Sequence, residues 1–170
     1  MKEIIRDVPN FPKEGIIFKD ITPLLSDPSA FQKTINSLKD RYADKQVDVV
    51  VGVEARGFIF ASALAYALGT GVVMVRKPGK LPYKTFQETY ALEYGTDTVE
   101  VHQDAFQPGQ NIIIIDDVLA TGGTLAATLD LIQKNFKDVK VLEAAFLIEL
   151  DFLKGREKLK NTPIHSIIHY

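Results

Sequence analysis

The run from Ile112 to Thr124, IIIIDDVLATGGT, constrains this chain more than any other stretch. Four consecutive isoleucines, branched at Cβ and apolar on both sides of a pleat, suit a strand buried on both faces. Asp116 and Asp117 stand where that strand should end. The small turn Ala120-Thr121-Gly122-Gly123 follows and leads to Thr124. Leu125, Leu129, Ile132 and Phe136 then recur with the period of an amphipathic helix. A strand, a turn and a helix N-terminus aim backbone N–H groups and the positive end of a helix dipole at a phosphate. The adjacent carboxylates can accept hydrogen bonds from vicinal hydroxyls, so the pattern suits a sugar phosphate such as a ribose phosphate. No Lys follows the glycines as in a Walker loop, and the glycine spacing is not that of a dinucleotide fingerprint. The competing explanation is a plain strand–turn–helix connection, with a solvated Asp pair and glycines serving turn geometry.

A chain of 170 residues, 46% hydrophobic and 25% charged, fits one globular domain. The absence of cysteine excludes disulfides, thiolate metal sites and thiol nucleophiles. A formal net charge of −2 gives no general case for nucleic acid or an anionic membrane. No apolar run reaches membrane-spanning length, and MKEIIRDVPNF lacks the apolar centre of a secretory signal, so a cytoplasmic protein is expected.

Strand-like and helix-like segments alternate. Asp27 before Pro28 predicts a capped helix start, with Phe31, Ile35, Leu38 and Tyr42 as its apolar face. Val47 to Val53 reads as a buried strand, and Gly57 to Leu68 as a helix that is apolar nearly all round and ends at Gly69. Val72 to Val75 is another short strand. Arg76 to Gly95 has no clear period and is expected to be a flexible loop. Thr98 to His102 reads as an edge strand, Val139 to Leu150 and Ile164 to Ile168 as closing strands, with a polar helix from Phe152 to Leu159. The pattern predicts an α/β fold with a mostly parallel central sheet flanked by helices. Ligands in such sheets gather outside the carboxyl ends of the strands. The exits after Val53, Val75 and Ile115 are therefore the places to inspect.

After Val53, Glu54-Ala55-Arg56-Gly57 could clamp an anion, or form a capping turn whose Arg pairs with Glu54. After Val75, Arg76, Lys77, Lys80 and Lys84 bring four positive charges with no acid before Glu88. Such a segment suits a multiply charged anion, although charge runs are commonly solvated loops. At its end, Glu93 lies between Leu92 and Tyr94, surroundings that raise a carboxyl pKa if the loop closes over it; an edge strand with Glu93 facing solvent is the alternative. Near the start, Phe18 between Ile17 and Lys19 offers a flat face to a base, or else is simply core. His102, His165 and His169 do not form a metal-ligand spacing with acidic partners.

The stretch IIIIDDVLATGGT resembles the ribose-phosphate motif of the type I phosphoribosyltransferases. Over nearly the whole chain, NFPKEGIIFKDITPLL, VVGVEARGFIF, RKPGKLPY, YALEYG and AFLIELDFLKGREKL are similar to segments of the adenine phosphoribosyltransferase family. The resemblance implies the type I phosphoribosyltransferase fold, with a small N-terminal hood over residues 1–25. It also implies transfer of a 5-phosphoribosyl group from phosphoribosyl pyrophosphate to adenine, giving AMP and pyrophosphate, with Mg²⁺ held mainly by substrate and water. By position, Ala120, Thr121, Gly122, Gly123 and Thr124 would cradle the 5′-phosphate, and Asp116 and Asp117 would hold the ribose hydroxyls. Arg56, Arg76, Lys77 and Lys80 would reach pyrophosphate, some across a homodimer interface. Glu93 would assist proton transfer at the adenine ring, with Tyr94 beside it, while Ile17, Phe18 and Lys19 would contact adenine. Many relatives carry Arg where this chain has Lys19. The change is neutral if only the backbone there reads the base, and matters if the side chain makes a bidentate contact. Two other readings stay open: a phosphoribosyltransferase for another base, and a non-catalytic nucleotide-sensing regulator of the same fold.

Overall fold

The computed structural model describes residues 1–91, 95–159 and 161–170, and the chain divides into two units, Met1–Arg41 and Tyr42–Tyr170. In the first, β1 (Arg6–Pro9) and β2 (Ile17–Asp20) pair antiparallel, with Asp7 opposite Lys19 and Val8 opposite Phe18. A short helix α1 (Thr22–Ser26) leads to α2 (Pro28–Tyr42). The Asp27 carboxylate accepts the Ala30 N–H at 2.8 Å, and Pro28 takes the first helical position, where no N–H is needed. Ile35, Leu38 and Tyr42 of the expected face are buried.

The second unit contains β3 (Val49–Val53), α3 (Gly57–Leu68), β4 (Gly71–Val75), β5 (Thr85–Ala91), β6 (Thr96–His102), β7 (Asn111–Leu119), α4 (Gly123–Asn135), β8 (Lys140–Glu149) and β9 (Ile164–His169). The central sheet has the order β4-β3-β7-β8-β9 and is parallel throughout. β3 and the isoleucines of β7 are buried on both faces, as a parallel sheet covered by helices requires. Gly69 ends α3 with φ of 71°, the left-handed cap expected of it. From β3 the chain runs outward to β4 and later returns to β7 on β3's other side. The crevice at the carboxyl ends of β3 and β7 is therefore the switch point where such sheets bind ligands.

Three expectations are corrected. β7 does not end at the aspartates: Asp116, Val118 and Leu119 pair with Phe146, Ile148 and Glu149, so β8 carries the ladder onward. Residues 85–91, expected in a loop without period, form β5, an antiparallel partner of β6. Its alternation was hidden because one inward position is Glu88, held by Lys134 of α4 at 2.6 Å, between Phe86, which meets Phe136 edge to face, and Tyr90. The polar helix at 152–159 is instead two 3-10 turns, Asp151–Leu153 and Gly155–Leu159, separated by Lys154 with φ of 52°.

Candidate active site

Four short stretches converge around the end of β7. The first is the turn after the strand. Gly122 adopts φ of 77° and precedes α4, so the chain reverses sharply and presents the N–H groups of the helix start. Asp116, Ala120, Thr121, Gly122, Gly123 and Thr124 line a cavity of about 70 Å³ here. That exceeds the roughly 10–15 Å³ one water requires, so the turn can admit a small polar group.

The second stretch explains why the turn holds its shape. A Cβ on Gly155 would lie 2.1 Å from the Ala120 carbonyl oxygen, and one on Gly122 would lie 2.4 Å from the Gly155 carbonyl oxygen. The phosphate turn and the 3-10 segment thus interlock backbone to backbone. Arg156, next in sequence, fastens that segment: its Nε and Nη2 donate to the two oxygens of Glu149 at 2.8 and 2.5 Å, and its Nη1 donates to the Ile164 carbonyl at 3.0 Å. The Arg156 guanidinium, with the Ser166 hydroxyl, holds the Glu149 carboxyl below its usual value. Sequence reasoning assigned no role to Gly155 or Arg156; a Gly-Arg pair inside a polar stretch was the available signal.

The third stretch is the exit of β3. Gly57 packs so closely on β7 that a Cβ there would lie 2.7 Å from the Ile115 carbonyl oxygen and 3.1 Å from Asp116 Oδ1. This lets Arg56 reach across the crevice, where its Nε donates to Asp117 Oδ2. The alternative pairing of Arg56 with Glu54 is not formed, because Glu54 accepts Arg76 Nε at 3.1 Å and the Lys77 N–H at 2.8 Å. Asp117 is buried and Asp116 half-buried. Burial, and then the neighbouring Asp117 charge, push the Asp116 carboxyl well above the usual range. A raised and a paired carboxylate side by side can accept two vicinal hydroxyls and sit under a developing positive charge.

The fourth stretch is the basic segment. Arg76 also donates to the Lys80 carbonyl at 3.1 Å, and its guanidinium lies 5.7 Å from the Phe58 ring centre. Lys77 Nζ pairs with Asp97 at 3.3 Å, and buried Glu100 accepts the Gly79 N–H at 3.1 Å. A segment that is purely cationic in sequence is therefore braced by acids from β3 and β6. Lys80 is exposed.

Glu93 and Tyr94 lie outside the described residues. The strands leading to them are informative nonetheless: β5 runs along α4, with Phe86 at Phe136, Glu88 at Lys134 and Tyr90 at Thr124, 3.0 Å between hydroxyls. β5 thereby reaches the Ala120–Thr124 turn at Tyr90.

In the first unit, Phe18 is half-buried rather than core, edge-on to the exposed Phe11 ring at 5.1 Å. Ile17 is exposed. Lys19 Nζ is held by Asp7 at 2.6 Å across the β1–β2 hairpin. His169, whose sequence spacing gives no metal-ligand pattern, sits beside Asp151 at 2.9 Å and near Glu149. Because Arg156 and Ser166 already occupy Glu149, that cluster reads as a structural clasp.

A phosphate-sized turn, a carboxylate pair and a braced cationic segment lie at the switch point of a parallel sheet, an arrangement suited to a sugar phosphate. Residues 23–164 match the phosphoribosyl transferase domain, and the chain belongs to that family. More particularly, it is 54% identical over its full length to the adenine phosphoribosyltransferase of Syntrophotalea carbinolica, covering 98% of that protein. It superposes with a TM-score of 0.94 on the adenine phosphoribosyltransferase of Thermoanaerobacter pseudethanolicus, at 48% identity over 99% of this chain and 97% of that one. The Saccharomyces cerevisiae adenine phosphoribosyltransferase, solved with an imino-altritol bisphosphate and adenine, gives 0.88 at 46% identity, covering 96% and 93%.

Proposed function

We infer that the protein transfers the 5-phosphoribosyl group of phosphoribosyl pyrophosphate to adenine, yielding AMP and pyrophosphate in purine salvage. The observation that carries this reading is the Asp116–Asp117 pair one short turn from the Ala120–Thr124 cavity, at the sheet's switch point. Full-length similarity to adenine enzymes supplies the acceptor.

In this reaction the bond from C1′ to pyrophosphate oxygen breaks with its electron pair leaving on pyrophosphate. A bond from an adenine ring nitrogen to C1′ forms, and that nitrogen loses its proton. The route passes through an oxocarbenium-like state, as in glycoside chemistry. The chain's own contributions follow from its chemistry. Backbone N–H groups of Gly122 to Thr124 and the Thr121 and Thr124 hydroxyls bind the 5′-phosphate. Asp116 and Asp117 accept the ribose hydroxyls and keep the cationic ring tolerable. Arg56, Arg76, Lys77 and Lys80 receive the leaving pyrophosphate, Glu93 assists the adenine proton with Tyr94 closing beside it, and Ile17, Phe18 and Lys19 seat the base. With its charge engaged by Asp7, Lys19 is assigned backbone recognition, so the absence of Arg there is neutral.

The donor set suits Mg²⁺ borne by the substrate. Asp117 is engaged by Arg56 and the Asp116 carboxyl is held above its usual range, so these residues form no closed cage and would leave the ion to substrate oxygens and water. The ion, when bound, neutralises pyrophosphate charge. A homodimer belongs to the same reading: α3 exposes Ile59 and Tyr66, the latter 91% accessible, and edge strand β4 exposes Val72 and Met74, apolar surface that a second copy would cover. A cytoplasmic location is part of it too; among the described residues no helix is long and apolar enough to cross a membrane.

The test is AMP formation from adenine and phosphoribosyl pyrophosphate with Mg²⁺, with hypoxanthine, xanthine and orotate run alongside. Turnover of another base in preference to adenine, or tight nucleotide binding without turnover, would overturn the reading.

A further inference from the structure

Tyr90 was not among the residues expected at the site. It is the last described inward residue of β5, and its ring covers the start of α4: a Cβ on Gly123 would lie 3.4 Å from ring atoms Cδ2 and Cε2. Its hydroxyl is 3.0 Å from Thr124 Oγ1 and 3.4 Å from Asp97 Oδ2. Asp97 in turn takes Lys77 Nζ at 3.3 Å. A continuous line of polar contacts, Lys77–Asp97–Tyr90–Thr124, therefore joins the basic segment to the phosphate turn.

Proton counting leaves two directions for the line. Tyr90 and Thr124 each carry one hydroxyl proton and can each accept as well. Burial pushes the Tyr90 hydroxyl above its ordinary value, so it keeps its proton at neutral pH. Two arrangements are consistent: Thr124 donates to Tyr90 while Tyr90 donates to Asp97, or Tyr90 donates to Thr124 while Thr124 donates elsewhere. Only the second leaves the Thr124 proton for a phosphate oxygen.

We propose that Tyr90 is a positioning residue for the donor: by donating to Thr124 it turns the Thr124 proton toward the 5′-phosphate and fastens the β5–β6 hairpin to the occupied turn. This rests on reading Ala120 to Thr124 as the phosphate cradle.

The experiment is calorimetric titration with ribose 5-phosphate, which carries the 5′-phosphate but no pyrophosphate, so Lys77 is not read. Tyr90→Phe keeps the ring over Gly123 and removes only the hydroxyl; it should weaken binding about three- to tenfold, the range of one hydrogen bond. In a Thr124→Ala background the same change should have no effect, because Tyr90 acts through that hydroxyl. Asp97→Asn, which removes the competing charged acceptor, should leave affinity unchanged or tighter, and it serves where Tyr90→Phe lowers the melting temperature. Equal weakening by Tyr90→Phe in both backgrounds, no weakening at all, or weaker binding by Asp97→Asn overturns the proposal. Failure of the unaltered protein to bind ribose 5-phosphate would instead remove the phosphate cradle itself.

Discussion

Gly155→Ala tests whether the phosphate turn is shaped from outside its own sequence. The added methyl would sit 2.1 Å from the Ala120 carbonyl oxygen and 3.0 Å from both the Ala120 carbonyl carbon and the Gly122 nitrogen. A comfortable carbon–oxygen approach is about 3.3 Å, so the two backbones must part by roughly 1.2 Å. All three atoms are main chain, and no flexible side-chain end can absorb the shift. Arg156 and its bonds to Glu149 and the Ile164 carbonyl hold the 3-10 segment in place. The turn, with its 70 Å³ cavity, is the part that yields. Misplacement of about 1 Å typically costs about a hundredfold in rate, or about 2.8 kcal/mol. Overpacking adds about 1–3 kcal/mol of instability, about 2–4 °C in melting temperature for each kcal/mol at this chain length.

The assay is initial rate against phosphoribosyl pyrophosphate at saturating adenine, paired with a thermal melt and with the KM for adenine. The expected result is a kcat/KM for donor reduced about a hundredfold, a melting temperature lower by several degrees, and an adenine KM within about twofold. Donor kinetics within twofold of the unaltered protein would refute the interlock as the source of the turn's geometry. So would a loss expressed equally in both substrates.

Asp116→Asn should raise the melting temperature above neutral pH while lowering activity. A carboxyl whose folded pKa is raised binds its proton more tightly when folded, so stability falls as pH climbs from the unfolded value through the folded one, and the amide removes that loss. A melt that is no higher at pH 8 would contradict the burial argument. Glu149 has the opposite sign: its folded pKa is depressed, so its stabilisation is complete above the usual glutamate value and disappears as pH falls through the lower folded one. Glu149→Gln should cost about 1–2 kcal/mol at pH 7, reduced from the charged-bond range because Arg156 is half exposed, with a smaller difference in melts at pH 3–4. Glu93→Gln should lower kcat with substrate binding largely retained; unchanged kcat where chemistry limits the rate removes Glu93 from the mechanism.

What was legible in the sequence followed from periodicity and punctuation. Four isoleucines in a row, the Asp27–Pro28 cap and Gly69 each declare a local conformation that tertiary packing had no reason to override. The exits after Val53 and Val75 were legible for the same reason, whereas the exit expected after Ile115 was not, because β8 carries the β7 ladder on to Leu119. What could not be read was set by partners distant in sequence. Glu88 looks solvated until Lys134 is placed opposite it, and this hid a strand. The stretch 152–159 has helical composition, but Gly155 is held against the phosphate turn, a constraint visible only when Ala120 is brought beside it. The basic segment likewise shows its acidic braces, Glu54, Asp97 and Glu100, only once β3 and β6 are folded around it.

The Arg56–Asp117 pair gives the site a further property that neither residue has alone. The pair offsets the Asp117 charge, while burial and that charge still hold the neighbouring Asp116 carboxyl above its usual range. In the reaction proposed above, the donor carries a partner for each: ribose hydroxyls for Asp117 and pyrophosphate for Arg56. Binding therefore exchanges one internal ion pair for two ligand contacts, and the exchange becomes more favourable as the reaction proceeds. On that proposal, when the C1′–oxygen bond lengthens, negative charge accumulating on the pyrophosphate draws Arg56, while positive charge on the ring draws Asp117. The same separation of charge that makes the uncatalysed step difficult is the one this arrangement complements, so the stabilisation is greater in the transition state than in the bound ground state. An arginine suits the position because its planar fork can keep one edge toward Asp117 while the other meets phosphate oxygens, an option that a lysine's single ammonium lacks.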